Sequence, residues 1–169
     1  MDAPRVRVEP VGGASALLVH RLTQAAFAEF RGALDPPSGA EAETPEGVAA
    51  DIDAGGAAVA WIGGEVVGAV RWAPRTGHLY VGRLAVLPTH RGQGVGAALV
   101  AFAETQAASL GLPEVRVEVR SALPGNAAFF RGRGFAVVAE RPHPRLPAAT
   151  TVVLAKLVPG GEAGTGRTG

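Results

Sequence analysis

Cysteine is absent from the 169 residues, which excludes disulfides and thiolate catalysis and leaves a zinc site only four scattered histidines to draw on. No apolar run reaches the eighteen or so residues of a membrane span, so no membrane partner is expected. Residues 1–5 lack the apolar core of a signal peptide. These absences point together to a cytoplasmic address. Net charge is nearly absent as well: 16 basic against 15 acidic residues give +1, too little to suggest a nucleic-acid partner. Tyrosine occurs once, as Tyr80. What the chain does have is apolar content. Hydrophobic residues make up 47%, which suits one domain with a full core. We expect that domain over residues 1–158 and a flexible Gly-rich tail over 159–169.

Residues 6–10 alternate and read as a short opening strand closed by proline. Residues 14–30 contain no Gly or Pro, and Leu18, Leu22, Ala26 and Phe30 recur at helical spacing. The loop over 35–43 is expected to form a mobile rim. Thr44 and Pro45 then read as an N-cap and first helical residue, with Val48, Ala49 and Ile52 as the apolar face and Gly55-Gly56 closing the helix. Residues 57–62 and 66–72 form a hairpin across Gly63-Gly64-Glu65, and a turn over 73–77 leads to a strand over 79–87. After a helix ending near Gly111, residues 114–120 alternate as a strand with Val115, Val117 and Val119 on one face. A helix joins the strands over 79–87 and 114–120, so they should be parallel, with a right-handed crossover. A short helix over 126–133, a strand over 135–140, a proline-rich loop over 141–147 and a strand over 150–157 complete the order.

The most informative stretch runs from Leu84 to Val100. Pro88 stops the preceding strand, since proline cannot extend a central ladder. From Gly94 onward Val95, Leu99, Phe102 and Leu110 recur at helical spacing. Between strand and helix lie Arg91 and three glycines, where a helix N-terminus offers unpaired N–H groups and positive dipole. That describes an anion site suited to a pyrophosphate. A Walker loop is excluded, because no Lys-Ser/Thr follows the glycines. Gly92, Gly94 and Ala97 do satisfy the dinucleotide fingerprint, with Glu114 or Glu118 about twenty residues on, which would make the chain a nicotinamide-dependent oxidoreductase. Against that reading, the motif follows an antiparallel meander and opens no run of parallel βαβ units. A purely structural glycine turn is a further alternative.

Arg91-Gly92-Gln93-Gly94-Val95-Gly96 resembles the R/Q-x-x-G-x-G/A signature of the GNAT superfamily of N-acetyltransferases. Residues 84–90 look like that family's lead-in strand and proline. Phe129-Phe130 followed by Arg133-Gly134-Phe135 is similar to its later aromatic pair, short helix and Gly-Phe. The order of elements matches over residues 5–157. The resemblance implies an α/β fold: a single mixed, mostly antiparallel twisted sheet of about 6–7 strands with helices on both faces and a central splayed parallel pair. It implies acetyl-CoA as the acetyl donor, without a metal. The pyrophosphate would lie on the backbone of Arg91, Gly92, Gln93, Gly94, Val95, Gly96 and Ala97, with Arg91 adding a charge-assisted contact. The pantetheine arm would bond to the backbone of Leu84, Ala85 and Val86, and Asn126, Phe129 and Phe130 would contact the cofactor. For Asn126 the competing role is capping the short helix. For His90 the alternatives are a phosphate contact and simple solvation.

An acceptor amine of pKa ~10.4 is neutral in only about one molecule in 2,500 at pH 7, so attack on a thioester benefits from a base. Glu118 stands twelve residues before Phe130. Several family members that acetylate peptide or protein amines place a glutamate at this spacing, which implies a general-base role. The competing reading pairs Glu118 with Arg116 or Arg120 on a solvated strand face. Many members have a tyrosine where this chain has Phe130, and it protonates the leaving thiolate. Phenylalanine cannot, which leaves water, Tyr80 or Ser121. His78, His143, Arg71 and Arg75 read as surface groups, with acceptor contact as the alternative, and Trp61 and Trp72 as core or cleft wall.

The implied function is acetyl-CoA-dependent acetylation of a primary amine, on a small molecule or peptide, by direct attack in a ternary complex. A non-catalytic (acetyl-)CoA-binding regulatory module of the same fold is the competing class, and Phe130 is its main argument. Self-association as a homodimer is left open.

Overall fold

The computed structural model describes residues 5–32, 34, 38–143 and 150–159. Seven strands form one open mixed sheet in the order β1-β2-β3-β4-β5-β7-β6: Val6–Val11, Gly56–Ile62, Glu65–Arg75, His78–Val86, Glu114–Arg120, Ala136–Pro142 and Thr150–Leu157 for β1 to β7 in chain order. Among the described residues four α-helices accompany them: α1 Ala16–Phe27, α2 Pro45–Ala54, α3 Val95–Ser109 and α4 Pro124–Gly132. Among the described residues no helix is long and apolar enough to cross a membrane. The packing divides into two units, residues 1–73 with 82–103 and residues 74–81 with 104–169. The chain of β3, β4 and α3 thus contributes to both units.

In the first unit β1 and β3 flank β2 as antiparallel partners. Val19, Leu22, Val48, Ile52, Val59 and Ala69 form its core. The buried stripe of α1 is Ala16, Val19, Leu22, Thr23 and Ala26. This differs from the expected row, because Leu18 is 38% exposed and Phe30 lies beyond the helix. The stripe follows i, i+3, i+4 steps instead of a strict four-residue row. Thr23 is tolerated inside because its hydroxyl donates to the Val19 carbonyl at 2.8 Å. At α2 the sequence reading holds: Thr44 Oγ1 accepts from the Gly47 N–H at 3.1 Å, and Pro45 takes the first helical position.

The start of α3 is set by a glycine on β3. A Cβ at Gly68 would stand 2.9 Å from the Ala85 carbonyl oxygen and 2.9 Å from Val95 Cγ1, with Leu99 Cδ1 at 3.1 Å. Without that Cβ, Val95 and Leu99 pack down and become fully buried. The buried residues of α3 continue through Val100, Ala103 and Ala107. Leu110, expected on this face, lies past the helix end and is 53% exposed.

In the second unit β4 and β5 are parallel, as the connecting helix required, through Leu79↔Val115, Tyr80↔Arg116 and Val81↔Val117. β7 pairs antiparallel with β5 on one side and with β6 on the other. Val115, Val117 and Val119 are buried, and Glu114, Arg116, Glu118 and Arg120 occupy the opposite face. Some boundaries shift: β3 extends into the expected turn over 73–77, β4 begins at His78 instead of 79, and α4 begins at Pro124 instead of 126. Residues 141–142 belong to β6 instead of a loop. The rest of that loop over 144–147, and the tail over 160–169, lie outside the described residues.

Candidate active site

In the first unit, β4 leads through a single 3-10 turn, Pro88–His90, into the glycine loop and α3. Gly92 and Gly94 adopt φ of 76° and 84°, a left-handed conformation that side chains disfavour. A Cβ at either position would meet nothing within 4 Å, so both backbones face open space. The first bond of α3 runs from the Ala98 N–H to the Gly94 carbonyl. The N–H groups of Val95, Gly96 and Ala97 therefore stand at the N-terminus of a 15-residue helix without intrahelical acceptors. That is a backbone cradle for an anion, strengthened by the helix dipole. Gln93 is exposed beside it, while the Val95 side chain is buried beneath.

Arg91 does something the sequence did not reveal. Its Nη2 donates to the Ala26 carbonyl at 3.0 Å, and its Nη1 pairs with Glu29. The guanidinium thus binds the C-terminal end of α1, where the dipole favours a cation. His90 Nδ1 lies 2.9 Å from Thr89 Oγ1, and its Nε2 lies 3.5 Å from Glu65 Oε2.

Upstream of the loop, the parallel ladder ends at Val81 and Arg83 follows with φ of 49°. A left-handed arginine costs about 1–3 kcal/mol and persists only where its surroundings determine it. Here Glu43 Oε2 lies 3.3 Å from Arg83 Nε, an ion-pair contact that misses hydrogen-bond geometry. Glu43 Oε1 accepts from Arg71 Nη2 at 2.7 Å, and Asp51 Oδ2 stands 3.4 Å from Arg71 Nη1. Arg71 is therefore a buried cation between two carboxylates and not a solvated surface group. Glu43, which the sequence placed in a mobile rim, anchors both arginines. The break at Arg83 precedes Leu84, Ala85 and Val86, of which Ala85 is buried and the other two are half-buried.

This cluster yields a stability prediction. Glu43→Gln leaves Arg71 buried with only the exposed Asp51 to balance it. The expected loss approaches the about 3–5 kcal/mol of a broken buried pair, moderated by Asp51. Urea denaturation checks it, and a loss below ~1 kcal/mol would mean that the cluster contributes little.

In the second unit an open pocket of about 450 Å³ is lined by Arg75, His78, Tyr80, Arg116, Glu118, Arg141 and Val153. Strand alternation explains how it is assembled. Arg116 and Glu118 share one face of β5, and Tyr80 lies opposite Arg116 on β4. On β7, Val153 faces Glu118 across one ladder, while Thr151 faces Arg141 across the other. Glu118 and Arg141 thus reach over β7 from either side, and Arg141 Nη1 donates to Glu118 Oε1 at 2.9 Å. Arg116 instead pairs with Glu114. The Arg75 guanidinium stands 5.9 Å from the centre of the Tyr80 ring.

Two expected catalytic residues, Glu118 and Tyr80, therefore share one pocket. Glu118 pairs with Arg141, a residue the sequence did not suggest, because β6 and β7 bring it across the sheet. Phe130 is buried, with its ring edge-on to Phe129 and Phe135 at centroid distances of 5.1 and 5.3 Å. Its position is a core position of α4. Asn126 is exposed on α4 and does not cap it; Leu123 occupies the N-cap, with no side-chain cap bond.

The chain matches the sequence model described as the Acetyltransferase (GNAT) family over residues 15–135. No curated protein matches it by sequence. Among solved structures it resembles the ribosomal-protein-S18-alanine N-acetyltransferase of Escherichia coli with a TM-score of 0.72 and 15% identity, over 91% of this chain and 94% of that one. It resembles the IAA acetyltransferase of Bacillus cereus with a TM-score of 0.68 and 19% identity, over 90% and 99%. A GNAT family acetyltransferase from Elizabethkingia anophelis, solved with acetyl-CoA bound, gives 0.68 and 14%, over 90% and 97%. Identities this low carry the fold and leave each protein's acceptor its own. Among the described ladders β4–β5 is parallel and the β1–β2, β2–β3, β5–β7 and β6–β7 pairs are antiparallel, which removes the nicotinamide-dehydrogenase reading, since that needs a run of parallel strands. A glycine loop at the head of α3, a β4 broken at Arg83 and a family match spanning both have one common explanation: the chain belongs to the GNAT acetyltransferase family.

Proposed function

We propose that the protein moves the acetyl group of acetyl-CoA to a primary amine by direct attack in a ternary complex. The observation that carries this reading is the meeting of Glu118 with the chain's one tyrosine in a single pocket of the parallel strand pair. On the donor side, the backbone of Arg91 to Ala97 receives the pyrophosphate, with Gly92 and Gly94 left-handed and open as that role requires. The backbone of Leu84, Ala85 and Val86 takes the pantetheine arm, Asn126 and Phe129 of α4 add contacts, and Phe130 fixes α4 from within the core.

The amine nitrogen attacks the thioester carbonyl carbon, and Glu118 accepts the proton that the nitrogen must lose, directly or through water. The C–S bond then breaks and CoA leaves as a thiolate. With a free thiol pKa near ~8.5 this is a tolerable leaving group. Tyr80 or water returns one proton to sulfur. The products are an amide and CoA. A cytoplasmic location accompanies this reading, in keeping with the absence of cysteine.

Initial rates with both substrates varied test direct attack. Intersecting lines are expected; parallel lines would indicate an acetyl-enzyme instead. One observation favours a second reading, a CoA-binding module without turnover: Phe130 is a buried hydrocarbon where a hydroxyl would serve as acid. Tight acetyl-CoA binding with no thiol release on any amine would support that module.

A further inference from the structure

We propose that the acceptor is a small amine that also carries a carboxylate; this rests on the acetyl-transfer reading and names its substrate class. The pocket that holds Glu118 is lined by three guanidinium groups against that one carboxylate. An ammonium ion alone would enter a field of its own sign, whereas a carboxylate on the same molecule offsets it. The three arginines are not equivalent. Arg141 is paired to Glu118 and Arg116 to Glu114. Arg75 lies over the Tyr80 ring and makes only a 3.4 Å contact to the adjacent Pro74 carbonyl; among the described residues no carboxylate meets it. A guanidinium held by an aromatic face and without an anion suits bidentate capture of a carboxylate. With Glu118 serving the amine, the pocket has a separate pole for each end of an amino acid. Its volume of about 450 Å³ fits a small molecule.

Matched pairs that differ only in that charge test the proposal: 4-aminobutyrate with 4-aminobutanamide, and alanine with alaninamide. Binding to the CoA-loaded protein by titration calorimetry and thiol release with acetyl-CoA are measured for each. At least one acid should exceed its amide roughly tenfold or more in both readouts, as a hydrogen bond to a charged group allows. Arg75→Gln should bring that ratio toward one by raising KM for the acid, and added salt should narrow it in the wild type. Equal binding of acids and amides, or no binding of either, overturns the proposal whatever the turnover. Preferred binding of the acid that Arg75→Gln removes, with no thiol release, upholds the carboxylate preference and overturns the acetyl-transfer reading instead.

Discussion

Gly94→Asp is expected to weaken acetyl-CoA binding at least about 100-fold relative to Gly94→Asn, as measured by titration calorimetry. The pair separates charge from shape. Gly94 has φ of 84°, which Asn and Asp tolerate better than other side chains, so the backbone strain is similar in the two variants. Neither side chain meets a wall at its Cβ, since nothing lies within 4 Å of that position. What remains is an added anion beside a bound pyrophosphate. At ~4 Å and an effective dielectric of ~20, one like-charge pair costs about 4 kcal/mol, nearly a thousandfold before screening. Equal losses in the two variants would leave only crowding. Unchanged affinity in both would move the pyrophosphate away from the head of α3.

Glu118→Gln should lower kcat by about 10²-fold or more, within the 10²–10⁴ range of a positioned base. The fold should survive, because the Glu118–Arg141 pair is half-exposed and such pairs contribute only about 0–1 kcal/mol. The sign of the pH dependence distinguishes a base from a surface ion pair. The neutral fraction of the amine rises about tenfold per pH unit below its pKa of ~10.4, so the need for a protein base declines as pH rises. The deficit of the variant should therefore be largest at low pH and shrink toward high pH. A wild-type rate and profile would return Glu118 to the role of an ion-pair partner on a strand face.

Features written in consecutive residues were legible in the sequence. Thr44-Pro45 caps its helix as expected, the valines of β5 face inward, and the glycine loop precedes α3. Each rests on local geometry: a cap bond, a two-residue period, a left-handed turn. Features made by distant strands were not. Arg141 meets Glu118 only because β6 returns beside β7, a pairing that no periodicity in residues 114–120 encodes. Glu43 reads as loop until Arg71 and Arg83 are seen to converge on it. Arg91 belongs to the glycine motif, yet its guanidinium is held by Ala26 and Glu29, far away in sequence. Once β7 is seated between β5 and β6, alternation accounts for the meeting: Thr151 and Val153 share a face, which places their partners Arg141 and Glu118 together.

The most direct test of the account is the release of free thiol from acetyl-CoA in the presence of single amines, with the acetylated product quantified by mass spectrometry. We predict thiol release that depends on the amine, matches the acetylated product one to one, and is greatest for amines that carry a carboxylate. Saturable acetyl-CoA binding with no thiol released on any amine would contradict the account and leave the protein a CoA-binding module.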